Sequence, residues 1–182
     1  MLLLVWRAFG DAIDSGHPAD VIASLCAAVG LVWFAVCAVP LWVSDVREHR
    51  LPNRWTLLLV VGGVVTLGTA TLLATDGSEL AGRALRMVLA GLVYAAVLFV
   101  LHLATRGGMG MGDVKLAAGL GVYTGWLSWD GLLAAVVFGF LIGGLVALML
   151  VAVRRATRST QIAFGPSMMV GALVPLMLMD AG

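Results

Sequence analysis

Charged residues are scarce in this 182-residue chain, in which Asp, Glu, Lys and Arg together make up 12% and hydrophobic residues 62%. Soluble domains carry about 25% charged residues, so the chain has too few charged side chains to cover a surface exposed to water. The net charge of +1 is too small to predict binding to nucleic acid, which needs a basic face. The composition therefore indicates an integral membrane protein surrounded by membrane lipid.

Cysteine and histidine are also rare, with two and three copies respectively. If both cysteines lie on one helix, Cys26 and Cys37 are about 16 Å apart, whereas a disulfide requires Cα atoms within about 7 Å. His17, His49 and His102 are scattered and show no HExxH or paired CxxC spacing. We therefore expect no disulfide between these cysteines, no metal and no cofactor.

Linkers, charge runs and low-complexity tracts are absent from the sequence, so residues 1–182 are predicted to form a single polytopic membrane domain. The apolar run from Met1 to Gly10 is short and is not followed by a small-residue cleavage site. We therefore do not expect a cleaved signal peptide. No clear internal repeat is present either, which leaves little support for an inverted-repeat transporter.

Long apolar runs account for most of the chain. A helix needs about 20 apolar residues to cross a bilayer. Six segments come near that length: Val21–Val43, Trp55–Thr75, Ala84–Ala104, Val114–Leu127, Leu132–Val153 and Ile162–Met179. Helices are expected because unpaired backbone groups are costly in lipid, and the alternation typical of barrel strands is missing. The predicted fold is thus an all-α bundle of six transmembrane helices, the fourth of them short.

Basic residues are distributed unevenly over the connections between these segments. The connections after the first, third and fifth segments contain eight of the eleven: Arg47, Arg50, Arg54, Arg106, Lys115, Arg154, Arg155 and Arg158. The other side contains Arg7, Arg83 and Arg86. The positive-inside rule then places the three basic connections in the cytoplasm and both termini outside.

Three acidic residues depart from this pattern. Seven of the ten acidic residues fall on the outer side, but Asp45, Glu48 and Asp113 fall on the cytoplasmic side. Asp45 and Asp113 adjoin apolar helices, where a carboxylate is costly unless it is paired or solvated, so each is a functional candidate. Taken singly, Asp45 could be an interfacial residue paired with Arg47 or Arg50, and Asp113 a helix N-terminal acid stabilised by the helix dipole.

Two neighbouring aspartates are suited to peptide hydrolysis. Close carboxyls share one proton because both cannot ionise cheaply at short range. The ionised carboxylate can take a proton from water while the protonated one donates to the scissile carbonyl oxygen. The sequence leaves open whether Asp45 or Asp113 is the base.

Glycines surround the second aspartate, in the stretch from Gly107 to Gly112. Such a run does not continue a stable helix, so the chain can bend there and let a substrate backbone approach closely. A flexible turn between two helices is the alternative interpretation of the glycines alone. Gly-x-Gly-Asp at the start of a membrane helix is a more specific signal.

Three motifs, in order along the chain, resemble those of the type IV prepilin peptidase family. They are Asp-Val-Arg from Asp45 running on to Pro52-Asn53, Gly110-Met-Gly112-Asp113-Val-Lys115-Leu, and Phe164-Gly165-Pro166 followed by Gly171-Ala172. The resemblance implies an aspartic endopeptidase with Asp45 and Asp113 as catalytic residues. It implies removal of a short basic leader from prepilin-like precursors at the cytoplasmic face of a prokaryotic plasma membrane.

The same motifs suggest residues that shape the site or contact the substrate. Arg47 and Lys115 are expected to orient the site or contact the substrate backbone, although both also fit the positive-inside pattern. Pro52 is expected to mark the start of the second span, and Asn53 is expected to help shape the turn there. Gly110 and Gly112 are the remaining residues expected to shape the site. Because paired cysteines and a soluble insertion are missing, the resemblance is to a short form with peptidase activity alone.

Two functions of other classes remain open at this point. One is a channel or transporter in which Asp45 and Asp113 are proton or cation ligands. It predicts ionisable residues near the bilayer midplane, but both aspartates lie near one interface. The other is a structural membrane subunit that uses the close-packing pair Gly139 and Gly143, although in a bundle of six spans such a pair more often packs helices internally.

Overall fold

The computed structural model describes residues 10, 17–74, 77–105, 109–153 and 163–178. Six helices account for the regular structure of these residues. They are α1 (Pro18–Glu48), α2 (Asn53–Ala74), α3 (Gly77–Ala104), α4 (Met111–Leu127), α5 (Trp129–Ala152) and α6 (Gly165–Leu178). The predicted all-helical architecture is therefore confirmed.

Four of the helices are long and apolar enough to cross a membrane: Pro18–Glu48, Asn53–Leu73, Glu79–Ala104 and Trp129–Ala152. Their outward faces carry exposed leucine and valine, for example Leu57 at 63% and Leu148 at 66% exposure. Apolar faces of this extent are typical of contact with lipid. The helices α4 and α6 are shorter, at 17 and 14 residues. Six spans and outer termini therefore stay predictions.

Parts of the charge pattern fall outside the described residues. These are Arg7, Asp11, Asp14, Asp76, Arg106, Arg154, Arg155, Arg158 and Asp180, together with the end residues Thr75, Ile162 and Met179 of two predicted spans. The first helix also differs from its predicted span, because α1 continues past Val43 to Glu48. Asp45 and Arg47 thus lie in its last turns rather than in the connection after it.

The core of the bundle is α4, whose residues from Asp113 to Leu127 are nearly all buried. It packs against α2, α3, α5 and α6. Two polar contacts join it to α2, since Trp126 Nε1 donates to Thr71 Oγ1 over 3.1 Å and the Tyr123 hydroxyl to the Leu59 carbonyl over 3.4 Å. A central α4 fixes the position of Asp113 at its N-terminal end.

Glycines allow the closest helix contacts. A Cβ on Gly121 of α4 would lie 2.6 Å from the Ala90 carbonyl oxygen and 2.7 Å from Gly91 Cα of α3. Gly139 of α5 similarly faces Gly171 of α6. Gly143 faces the ring of Phe164, just before α6, so both glycines make contacts within the chain, as the internal interpretation of that motif predicted.

Arg86 on α3 holds the C-terminal end of α4. Its Nε donates to the Gly125 carbonyl over 2.8 Å, and Nη2 donates to the Trp126 and Leu127 carbonyls over 3.0 and 2.9 Å. The last carbonyls of a helix have no partner within the helix, and a cation there also complements the helix dipole. The sequence pattern counted Arg86 only as an outer-side charge.

Replacing this residue should destabilise the fold. Arg86→Met keeps much of the side-chain volume but leaves the three carbonyls without the guanidinium, at a cost of about 1–3 kcal/mol. The apparent midpoint of thermal unfolding of the purified protein should fall in Arg86→Met. The midpoint of Arg86→Lys should fall less, because lysine keeps a cation. An unchanged midpoint in Arg86→Met would contradict this role.

Candidate active site

The first aspartate is buried near the C-terminal end of α1. Asp45 is only 5% exposed, and its Oδ2 accepts a 2.9 Å hydrogen bond from the backbone N–H of Gly165 at the start of α6. This contact joins residues 120 positions apart in the sequence. A backbone N–H at this distance stabilises the ionised form of a carboxyl. The contact therefore fixes the direction of the Asp45 side chain and supports its charge.

The chain reverses direction directly after Asp45. His49 adopts the left-handed conformation, with φ of 51°, and its N–H donates to the Asp45 carbonyl over 3.0 Å. Ser44 Oγ donates to the Arg50 carbonyl over 2.9 Å. These bonds end α1 and direct the short connection toward the start of α4.

The second aspartate lies in the first turn of α4. Gly110 caps this helix, and the Asp113 N–H donates to the Gly110 carbonyl over 3.1 Å. A Cβ on Gly112 would lie 3.0 Å from Leu51 Cβ, so glycine permits the connection after α1 to pack closely against this turn. Asp113 is 8% exposed. The helix start and the connection together bring Asp113 to the same region as Asp45.

Both aspartates line one cavity of about 300 Å³. Its other walls are His49, Arg50, Leu51 and Asn53 on one side and residues 110–112 with Lys115 on the other. A polar cavity of this size can hold several water molecules. The cavity therefore provides two carboxyls with room for water and for a peptide group.

The surroundings favour a proton on Asp113, which precedes the predicted fourth span. Burial raises the pKa of Asp113 to about 6, and the negative charge of Asp45 adds to this shift. Burial also disfavours the charged form of Asp45, but there the Gly165 N–H offsets part of the effect. Asp113 therefore keeps a proton more readily than Asp45 does.

Lys115 joins α4 to α2 at the edge of the cavity. Its Nζ donates to Asn53 Oδ1 over 2.8 Å. The Pro52 carbonyl accepts from the N–H groups of Trp55 and Thr56 at 3.1 and 3.3 Å and so forms part of the first turn of α2. Asn53 is the first residue of α2. Pro52 thus marks the start of the helix as predicted, and Asn53 adds a side-chain contact to the site.

Most of the predicted site residues come together in this cavity: Asp45, Asn53, Gly110, Gly112, Asp113 and Lys115. Pro52 adjoins the cavity in sequence without lining it, and Arg47, exposed on the last turn of α1, is not a lining residue either. Sequence reasoning missed His49, Arg50 and Leu51. Gly165 was noted only as part of a motif, and its contact with Asp45 was not predicted.

Metal ligands do not cluster in the part of the chain that the structure describes, where no group of three or more His, Cys, Asp or Glu is close enough to bind one ion. The two described cysteines, Cys26 and Cys37, are free. The polar side chains that line the cavity are two carboxyls, an ammonium, a guanidinium, an imidazole and the amide of Asn53.

The described helices are apolar, and two buried carboxyls share one cavity. These features place the protein among helical membrane proteins with a paired-carboxyl site. Within that class, the chain belongs to the type IV leader peptidase family, whose sequence model matches residues 28–148. The resemblance drawn from the three motifs is thus confirmed.

Several characterised relatives are similar to the chain. A prepilin leader peptidase/N-methyltransferase of Aeromonas hydrophila is 31% identical over 163 residues, which are 85% of this chain and 50% of the relative. One of Bacillus subtilis (strain 168) is 27% identical over 188 residues, 96% of this chain and 71% of the relative. The chain thus spans about half the length of the Aeromonas relative. No solved structure matches the chain significantly.

Proposed function

We propose that this protein is an aspartic endopeptidase that removes the short basic leader peptide from prepilin-like precursors. The observation that carries the proposal is that Asp45 and Asp113, from two different helices, are buried on the wall of one cavity. Membership of a leader peptidase family supports the reaction. The names of the relatives support the substrate class.

The two environments support separate roles for the aspartates. Asp45, stabilised as an anion by the Gly165 N–H, takes a proton from a water molecule as that water attacks the scissile carbonyl carbon. Asp113, which keeps its proton more readily, donates it to the carbonyl oxygen. When the tetrahedral intermediate collapses, the C–N bond breaks and Asp45 returns its proton to the leaving amine. Asp113 recovers a proton from the diol, and the pair is ready for another cycle.

The same proposal places the cavity at the cytoplasmic face of a prokaryotic plasma membrane. Arg50 and Lys115 line the cavity, and Arg47 and Arg54 are close in sequence to residues that line it. Basic residues concentrate on the cytoplasmic side of membrane proteins. Their position supports this orientation for the end of the bundle that contains the aspartates.

Labelling of engineered cysteines should detect this orientation. In a variant with Cys26 and Cys37 replaced by alanine, a cysteine at Glu48 should not react with an impermeant thiol reagent added to intact cells. A cysteine at Ser78, on the opposite predicted side, should react and serves as the control. Labelling at Glu48 with protection at Ser78 would reverse the orientation.

The rate of leader removal should show a maximum against pH. As pH rises through about 6, Asp113 loses the proton that it donates, so the rate falls on the alkaline side. At acid pH, Asp45 takes up a proton and can no longer act as a base, so the rate falls there too. The measurement is kcat/KM of purified protein in lipid across the pH range. A rate that rises to an alkaline plateau would contradict the proton-donating role.

Co-expression with candidate precursors tests the function itself. Leader removal lowers the mass of a precursor and creates a new N-terminus, which a gel and mass spectrometry detect. Cleavage of a precursor with a basic leader, and none without the protein, is expected. If several such precursors stay intact while the protein accumulates in the membrane, the proposed function is wrong.

A further inference from the structure

A second cavity, of about 350 Å³, lies between α2 and α4 beside the candidate active site. One wall is formed by Thr56, Leu57 and Val60 of α2, and the opposite wall contains Ala118 of α4. We call this cavity the α2–α4 groove. Its remaining lining residues are Asn53 and Lys115.

The groove adjoins the catalytic cavity, because Asn53 and Lys115 line both. The bond from Lys115 Nζ to Asn53 Oδ1 therefore forms their common boundary. From Asn53 to Val60, α2 rises by about 10 Å, so the groove extends from the two carboxyls toward the apolar part of the bundle. A chain held at the carboxyls would reach the groove by passing the Lys115–Asn53 contact.

The walls of the groove are apolar beyond this boundary. The hydroxyl of Thr56 already donates to the Asn53 carbonyl over 3.0 Å, and the remaining wall residues are Leu57, Val60 and Ala118. Leu57 is 63% exposed on an apolar helix, so the groove is open on the side that contacts lipid. An occupant that enters from lipid must be apolar, and a peptide there must form its own backbone hydrogen bonds as a helix.

The charges at the boundary select which part of a substrate enters. Lys115 lies at the mouth of the groove, and Arg50 lines the adjoining cavity. Like charges repel across an interface, so a basic leader is disfavoured at this mouth. The segment that follows the leader, across the scissile bond, is not repelled by these charges if it is apolar.

We propose that the α2–α4 groove binds an apolar helical segment of the substrate that adjoins the scissile bond, and so positions that bond between Asp45 and Asp113. This inference rests on the proposed leader peptidase function. It makes Leu57, Val60 and Ala118 substrate-binding residues that select for an apolar segment. The basic leader then lies on the opposite side of the cleavage site, outside the groove.

Photo-crosslinking tests the occupant directly. The photoreactive p-benzoylphenylalanine is placed at Leu57, and a matched control carries it at Leu72, which has 62% exposure on the same helix. The two positions are about 22 Å apart along α2. The probe is a precursor with a basic leader followed by an apolar segment of about 20 residues, in lipid vesicles with full-length protein.

The adduct from position 57 should map to the apolar segment close to the cleavage site, and position 72 should give far less of it. An adduct at position 57 with lipid only, with a second copy of the chain, or with the basic leader would overturn the proposal. Leader removal by the wild-type protein is measured in the same vesicles. If the wild type cleaves but the adduct is absent, the groove proposal alone fails, whereas absence of wild-type cleavage rejects the underlying function.

A kinetic comparison adds a second readout. Leu57→Trp places a larger side chain in the groove, and misfit in an apolar pocket costs about tenfold or more in kcat/KM. Leu72→Trp makes the same change at the other end of α2 and should leave kcat/KM within about twofold, as expected for a lipid-facing position away from the site. Equal rates for the two variants would contradict the proposal.

Discussion

Asp45→Asn and Asp113→Asn should each lower the rate of leader removal by about 10²–10⁴-fold. Asparagine keeps the size and much of the hydrogen bonding of aspartate but cannot exchange a proton. Each variant therefore removes one step of the proposed proton transfer without creating a cavity. The measurement is the rate of leader removal at equal amounts of membrane-inserted protein.

The opposite end of the bundle offers a matched control. Asp130 is an acidic residue in the first turn of α5 and is exposed, so Asp130→Asn should retain activity close to that of the wild type. If Asp45→Asn or Asp113→Asn kept more than about a tenth of the activity, that residue could not be an essential proton carrier. If both variants failed to accumulate, the aspartates would be structural, and a non-enzymatic role would gain support.

Gly165→Ala should abolish most of the activity without removing any polar group. A Cβ at this position would lie 2.7 Å from Asp45 Oδ2 and 3.3 Å from Asp45 Cγ, which is too close, so the carboxyl must move. A displacement of about 1 Å can cost about 10²-fold in rate. Because alanine keeps the backbone N–H, the loss would come from displacement of the carboxyl, and it should appear in kcat.

A glycine in open space supplies the comparison for this variant. A Cβ on Gly144 of α5 would meet nothing within 4 Å, so Gly144→Ala should accumulate and cleave like the wild type. Equal activity of Gly165→Ala and Gly144→Ala would show that close packing of Gly165 on Asp45 is unimportant for the reaction.

The sequence predicts the helical architecture well because lipid leaves few alternatives for apolar segments. Apolar runs indicate where helices occur, but not where they end: α1 continues past its apolar run to Glu48, and the left-handed His49 then terminates it. Ser44 Oγ also donates to the Arg50 carbonyl across that turn. Hydrophobicity contains no signal for such a turn, so the predicted span ended at Val43.

The two aspartates could be found from the sequence because a carboxylate next to an apolar helix is an exception with few structural explanations. Their partners could not be found in this way. Gly165 reaches Asp45 across 120 positions of sequence, and Arg86 reaches the end of α4 across about 40. Such contacts depend on how helices pack, which no local pattern encodes.

The glycines near Asp113 show a related limit. Their composition predicts a flexible bend, but in the structure Gly112 lies within the first turn of α4 and its small size matters because Leu51 packs against it. Gly112 lines the cavity, but its close packing depends on the position of Leu51, a neighbour from another segment.

Leader removal by the purified protein in lipid should be measured with a metal chelator present for the wild type, both single asparagine variants and the double variant, because this comparison separates paired-aspartate catalysis from metal chemistry. The wild type should cleave despite the chelator. Because Asp45 and Asp113 act as one unit, the double variant should be no slower than the singles within about a factor of a few. Loss of wild-type cleavage on chelation with recovery on adding zinc, or a double variant slowed by the product of the two single effects, would contradict it.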